Sequence, residues 1–483
     1  MRSWYSFFCN RQLGLHLVRV LIFCFLCALP LSAHAQTWTL AWHEDFDGTT
    51  IDPATWTYDT GILNVNNEVE YYCQPGSNTV PCNAASPNAY LDGAGHLVIQ
   101  AIQINSNVAP YSGSWTSARL KTQGLQSFTY GRVESSMSLP LGPGLWPAYW
   151  ALGTDISTVG WPASGEIDFM ENVPASSGLG PTVISSTLHG GVSSSNCYCG
   201  GNGLSKHYTF PSGDVTGFHT YGAIWSPNMV QFYVDDPANI FFVRTASDVP
   251  SGLTWDFNAP FFLLLNLAVG GTGSWPGPPD NTTPNPALMV VDYVHVYTAS
   301  GVTAPTMAAP SISVTAGQMG SSTVTVNSAS GSGRMYLSCS TTAPKAACSL
   351  NSSDALNPFT VDFSSAASAT STLSVTTTPN TSHAAVSLLP GLWTALGGSL
   401  LAAMVLLPFG RSGRRQQAAF GFGALLILAL LMSCGGSGST STGGGGGPNG
   451  TPPGNYTVTV NAYTVSNTTG TPDTVLSVPF TVN

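Results

Sequence analysis

The chain has 483 residues, only 7% of them charged, and a formal net charge of −10. The acid excess leaves no basic surface for a nucleic acid backbone and disfavours heavily sulfated polymers, whereas neutral polymers stay open. Aromatics make up 10% of the residues, beside 52 glycines and 34 prolines, which reads as a turn-rich, all-β exported protein of more than one domain.

Residues 1–35 read as a secretory signal peptide. Arg2, Arg11 and Arg19 precede the apolar run Val20 to Leu31, and Ala33-His34-Ala35 is an A-x-A cleavage site. The exported chain then begins at Gln36, with 10 cations against 23 acids. Export makes disulfides the expected fate of paired cysteines. Cys73 with Cys82 and Cys339 with Cys348 are the simplest pairs. Cys197 and Cys199 are two positions apart, where a direct bridge is strained. Either of them could instead bridge to the Cys73/Cys82 loop.

Residues 36–299 carry short strand patterns between turn signals: Leu97–Gln103, Tyr130–Leu139, Pro147–Leu152, Glu166–Val173, Thr182–His189, His219–Trp225, Val230–Asp235, Phe261–Val269 and Met289–Tyr297. The run Phe261–Val269 is apolar on both faces, as in a strand buried between two sheets. Helical periodicity is nearly absent, so a two-sheet sandwich is the expected architecture.

Within this domain Glu166-Ile-Asp168-Phe-Met-Glu171 is singular. Three carboxylates crowd a strand of a chain that is poor in charge. Crowding of like charges pushes pKa values apart, and a matched pair, one ionised and one protonated, is what glycoside hydrolysis needs. Strand parity puts Glu166 and Asp168 on one face and Glu171 on the other. One extra residue, a β-bulge at Phe169/Met170, would return Glu171 to their face. Two long side chains leaning over Asp168 would then approach the ~5–5.5 Å used for retaining cleavage.

Composition changes at Ser300. Residues 300–310 read as a linker, and residues 311–380 carry five Ser/Thr/Val-rich strands. An immunoglobulin-like sandwich needs about seven strands. The other two are expected at 455–483, after a Gly/Pro-rich linker at 435–454. Residues 387–433 are apolar enough for a transmembrane helical hairpin interrupting that domain. Its short loop holds Arg411, Arg414 and Arg415, which places the loop in the cytoplasm by the positive-inside rule. Leu431-Met-Ser-Cys434 also mimics a lipidation signal. The chain is thus expected to be exported and membrane-anchored at the cell envelope.

Several ordered motifs in residues 36–298 resemble glycoside hydrolase family 16, most closely its laminarinase-like endo-β-1,3-glucanases. They are Asn66-Asn-Glu68-Val-Glu-Tyr-Tyr72, Ser117-Ala-Arg119-Leu-Lys-Thr122, Tyr130-Gly-Arg132-Val-Glu134, Gly144-Leu-Trp146-Pro-Ala-Tyr-Trp150 and Trp161-Pro-Ala-Ser-Gly-Glu166 running on to Glu171. Leu188-His189-Gly190, Asn266-Leu-Ala-Val-Gly-Gly271, Trp275-Pro-Gly277 and Val291-Asp292-Tyr complete the set.

The resemblance implies a β-jelly roll with a long cleft that takes a neutral β-glucan. It implies Glu166 as nucleophile, Glu171 as acid/base and Asp168 as the group coupled to the nucleophile. Trp146, Trp150, Trp161 and Trp275 are expected as sugar platforms, because sugar C–H faces pack on aromatic rings. His189, Asn66, Glu68, Arg132 and Asn266 are expected to hydrogen-bond hydroxyls. Catalysis needs no cofactor, while a structural calcium is implied at Asp45 and Asp292. Other readings are a related hydrolase of another neutral polysaccharide, such as agarose, and a non-catalytic β-glucan-binding protein. The segment Asn196-Cys-Tyr-Cys-Gly-Gly-Asn202 has no counterpart in the resemblance.

Overall fold

The structure, a computed structural model, describes residues 37–105, 114–300, 304–328, 333–363, 366–379 and 450–483. The signal peptide at 1–35, the apolar hairpin at 387–433 and Cys434 lie outside these residues. Among the described residues no helix is long and apolar enough to cross a membrane.

Residues 37–300 build two stacked sheets, one of ten strands and one of eight. The eight-stranded sheet carries the site. Its order is Asn196–Tyr198, Val183–Ser193, Glu166–Glu171, Leu145–Gly153, Phe261–Val269, Arg119–Lys121, Thr57–Asp59, and Leu204–Thr209 also pairs with Val183–Ser193. Period-2 alternation decides which side chains reach which face. Along Leu145–Gly153, Leu145, Tyr149 and Ala151 enter the core between the sheets. Trp146, Ala148, Trp150 and Leu152 line a cleft on the opposite face. The ten-stranded sheet closes the core from behind with Val133, Met137, Tyr221, Ala223 and Trp225.

Phe261–Val269 is buried at every position, but not between two sheets. Leu263, Leu265, Leu267 and Val269 enter the core, whereas Phe262 and Leu264 pack with Leu152, Trp150 and Ile156 on the cleft side. The second apolar face therefore supports the cleft floor. Each such side chain removed from water contributes about 1.5–3 kcal/mol, so the floor is anchored on both sides.

The cysteines pair as Cys73–Cys82, Cys197–Cys199 and Cys339–Cys348. The bridge left open by the sequence is thus the local one.

Beyond residue 303 a four-stranded and a five-stranded sheet enclose a second core. Gly454–Tyr463 pairs with Arg334–Thr341 and Thr474–Val482 pairs with Gly454–Tyr463, so the last strands join those before residue 380. Part of the stretch read as linker is a strand: Thr306–Ala308 pairs with Met319–Asn327. This sandwich meets the sheets of residues 37–300 at Ile240–Thr245 and the turn after it. There Asn357 Nδ2 donates to Asp248 Oδ2 at 2.7 Å, and the Ser247 and Tyr336 hydroxyls lie 3.1 Å apart.

Candidate active site

The strand Glu166–Glu171 has a register shift against both neighbours. Opposite Leu145–Gly153, Glu166 pairs with Leu152, Asp168 with Trp150, Met170 with Tyr149 and Glu171 with Ala148. Phe169 is the extra residue, and such an insertion lets one strand turn two consecutive side chains inward. Ile167, Phe169 and Met170 all enter the core, where Phe169 stacks on Tyr149 at 4.7 Å. Glu166, Asp168 and Glu171 all line the cleft. On the other side they pair with His189, Thr187 and Ser185, which line it too. The cleft holds about 1010 Å³ and runs across the strands of the sheet.

Each outer carboxylate has its own indole donor. Trp161 Nε1–H donates to Glu166 Oε2 at 2.9 Å, and Trp146 Nε1–H donates to Glu171 Oε1 at 3.0 Å. His189 Nε2 lies 3.2 Å from Asp168 Oδ2 and 3.8 Å from Glu166 Oε1. Donor atoms of Glu166, Asp168 and His189 all fall within 4.8 Å of one another.

Packing three carboxyls together disfavours the charged forms. Burial, then the Asp168 charge, push Glu166 up to about 8, against the pull of His189 and the Trp161 indole. Burial pushes Glu171 up to about 7, and His189 and Trp146 oppose the rise. Asp168 is held well above the ordinary carboxylate range, first by burial and then by Glu171. Near neutral pH the trio therefore carries fewer than three negative charges, and protons are shared within it. That is the state needed for one group to donate a proton while another attacks.

The aromatic platforms are placed differently from one another. Trp161 and Trp275 are 44% and 38% exposed, in the cleft, although large apolar side chains usually hide. Trp275 meets Trp146 edge to face, with centroids 5.5 Å apart. Trp150 is held from behind by Arg119, whose guanidinium lies 4.6 Å over its ring. A line of hydrogen bonds fixes this side of the cleft. Trp150 Nε1–H donates to Asn266 Oδ1 at 2.7 Å, and Asn266 Nδ2–H to the Tyr72 oxygen at 3.3 Å. Tyr72 O–H and Asn66 Nδ2–H then donate to the two oxygens of Glu68, at 3.3 and 3.1 Å. Asn66, Glu68 and Asn266 all line the cleft.

Arg132 does not. Its strand, Gly131–Ser138, belongs to the ten-stranded sheet, and its guanidinium sits 3.8 Å over Tyr297 while Nε faces Glu134 at 3.3 Å. An arginine in a motif shows charge but not which sheet it serves. Asp45 and Asp292, where the resemblance implies a calcium, do not line the cleft. The Asp45 oxygens contact His43 Nδ1 and His295 Nε2, each at 2.6 Å. Asp292 sits at a register shift in Ala287–Ser300, and among the described residues neither aspartate joins a group of three metal-holding side chains.

The cleft also contains residues that the sequence did not single out as site residues. Arg119 and Asp59 pair at 2.9 Å at one end, and Ser205 and His207 lie at the other. Arg119 had a signal, since it lies inside a matched motif. Ser205 and His207 had none, because the short strand that carries them shows no clear alternation.

The family of glycosyl hydrolases family 16 matches residues 82–294. A β-glucanase from Rhodothermus marinus is 37% identical over 291 residues, which cover 58% of this chain and 92% of that protein. Glucan endo-1,3-beta-glucosidase A1 from Niallia circulans is 34% identical over 271 residues, 53% of this chain and 37% of that protein. Among solved structures, the endo-beta-1,3-glucanase from Pyrococcus furiosus has 39% identity and a TM-score of 0.47, covering 55% of this chain and 96% of that one.

Proposed function

The chain belongs to glycosyl hydrolase family 16, and on that premise we propose that it is a retaining endo-hydrolase of neutral β-1,3-linked glucan. The observation that carries the chemistry is the bulge at Phe169, which brings three carboxyls to one face of the cleft, the outer two under indole donors. In this reading Glu171 gives its proton to the departing glycosidic oxygen while Glu166 attacks the anomeric carbon. The C–O bond breaks as the Glu166–carbon bond forms. Glu171, now ionised, takes a proton from water, and the hydroxide oxygen releases the sugar from Glu166 with inversion a second time. Two inversions restore the original configuration.

Asp168, held well above the ordinary carboxylate range, lies beside Glu166, and when it carries a proton it stabilises Glu166 as the anion before attack and as the leaving carboxylate afterwards. Trp161 and His189 favour the same ionised form. The choice of substrate rests on the β-glucanase and glucan endo-1,3-beta-glucosidase relatives, on the exposed tryptophans and on the acidic balance of the chain.

A substrate panel tests the proposal. Reducing ends are measured after incubation with a β-1,3-glucan, a mixed-linkage glucan, agarose and xyloglucan, beside Glu166→Gln and Glu171→Gln controls. Release from β-1,3-glucan that both substitutions abolish is expected. Release from agarose alone would reject the glucan assignment, and binding without release would make the chain a glucan-binding protein.

A further inference from the structure

The strand Val183–Ser193 continues past His189 through Gly190 and Gly191 into a hairpin. Its return strand, Asn196–Tyr198, carries Cys197, which bridges to Cys199 just past the strand, and the chain then runs through Gly200 and Gly201 to Gly203. The family resemblance leaves this segment without a role. Its far side is fastened to one carboxylate: Gly191 N–H donates to Asp256 Oδ2 at 2.8 Å and Tyr198 O–H donates to the same oxygen at 3.0 Å. A side chain at Gly190 would lie 2.4 Å from both Asp256 Oδ2 and the Tyr198 oxygen, so glycine is required for that approach. Its near side bears on the site. A methyl group at Gly203 would lie 2.7 Å from His189 Cε1 and Nδ1 and from Thr187 Cγ2.

The backbone at Gly203 is therefore laid against the Nδ1–Cε1 edge of the imidazole, and Nε2, next to Cε1, faces Asp168 and Glu166. His189 Nδ1 is buried without a hydrogen-bond partner. Packing on the Nδ1 side and the polar contacts of Nε2 with Asp168 and Glu166 together orient this ring. Gly200 and Gly201 of the same segment line the cleft, so the segment touches both the histidine and the space for substrate.

We propose that segment 196–203, which carries the Cys197–Cys199 bridge, is a positioning element for His189, with Gly203 as its contact, and that it holds the ring in register with Glu166 and Asp168 during turnover. The proposal rests on the catalytic reading of those carboxyls given above. The charged groups that face His189 are Glu166, Asp168 and Glu171 from one strand, with Asp256 behind Gly190 and Gly191; Arg119 adds a weak pull on Glu166. His189 opposes the rise of both Glu166 and Glu171, so freeing it lets both rise further.

The test uses full-length Gly203→Ala and the double variant Cys197→Ser/Cys199→Ser, with kcat and KM on β-1,3-glucan measured across pH and thermal unfolding as the fold control. Misplacing a group by about 1 Å can cost up to 100-fold, and a loss of about tenfold in kcat is expected, with KM within about twofold. In the double variant the acid limb of kcat/KM moves to higher pH. A folded variant with unchanged kcat and unchanged pH profile, or one altered only in KM, overturns the proposal. Should Gly203→Ala not fold, the double variant decides by the same criteria. Wild-type enzyme inactive on every glycan of the panel would instead refute the catalytic reading.

Discussion

Replacing Glu166 by glutamine should stabilise the protein, and the gain should depend on pH. Glu166 is pushed from about 4.5 up to about 8 by burial and by Asp168. A carboxyl raised in the folded state gives its stability below the unfolded pKa and loses it as pH rises through the folded one. The window is therefore about pH 4.5 to 8. At pH 7 the loss corresponds to about 3 kcal/mol at 1.36 kcal/mol per pH unit, and water in the open cleft reduces it to about 1–3 kcal/mol. Glutamine has the shape of the protonated acid and escapes the penalty. For a domain of this size the gain appears as roughly 2–10 °C in Tm at pH 7, vanishing near pH 4. Calorimetry of both proteins from pH 4 to 8 measures it. A variant less stable than wild type at pH 7, or a difference that does not change with pH, refutes the electrostatic account of this site.

Glu171→Gln should lower kcat by about 10²–10⁴-fold, the range for a lost general acid, and should remove the alkaline limb that Glu171 sets near pH 7. The loss should shrink on an aryl glycoside whose leaving group needs no proton, which steady-state kinetics on both substrates will show. Trp275→Ala should raise KM by about 3–10-fold with little change in kcat, because it removes an exposed platform and not a reacting group. Arg119→Ala should also raise KM, through loss of the cation packed on Trp150 and of the pair with Asp59. Arg132→Ala, by contrast, should leave KM unchanged, since its contacts lie on the other sheet.

Parity made the heart of the site legible. Glu171 falls out of phase with Glu166 and Asp168, and the register shift at Phe169 is the physical answer to that mismatch. Long strands such as Phe261–Val269 and Leu97–Gln103 were legible because alternation or a sustained apolar run needs several residues to emerge. Three-residue strands such as Thr57–Asp59 and Arg119–Lys121 carry no period, and their place depends on partners far along the chain. Thr306–Ala308 was hidden for the same reason, inside a proline-flanked stretch that resembles a linker. Arg132 shows the limit of motif reading: the strand was recognisable, but its sheet was set by pairing with His219–Ser226 and Ala287–Ser300. The Cys197–Cys199 segment lay beyond any pattern, since its role depends on Gly203 meeting His189 in space.

In the proposed mechanism Glu166 and Glu171 hydrolyse a β-1,3-glucan by two successive inversions. Proton NMR of the anomeric signals during the first minutes of hydrolysis tests it directly. With retention, the new reducing ends appear first as the β-anomer and only later mutarotate. Initial release of the α-anomer would contradict it.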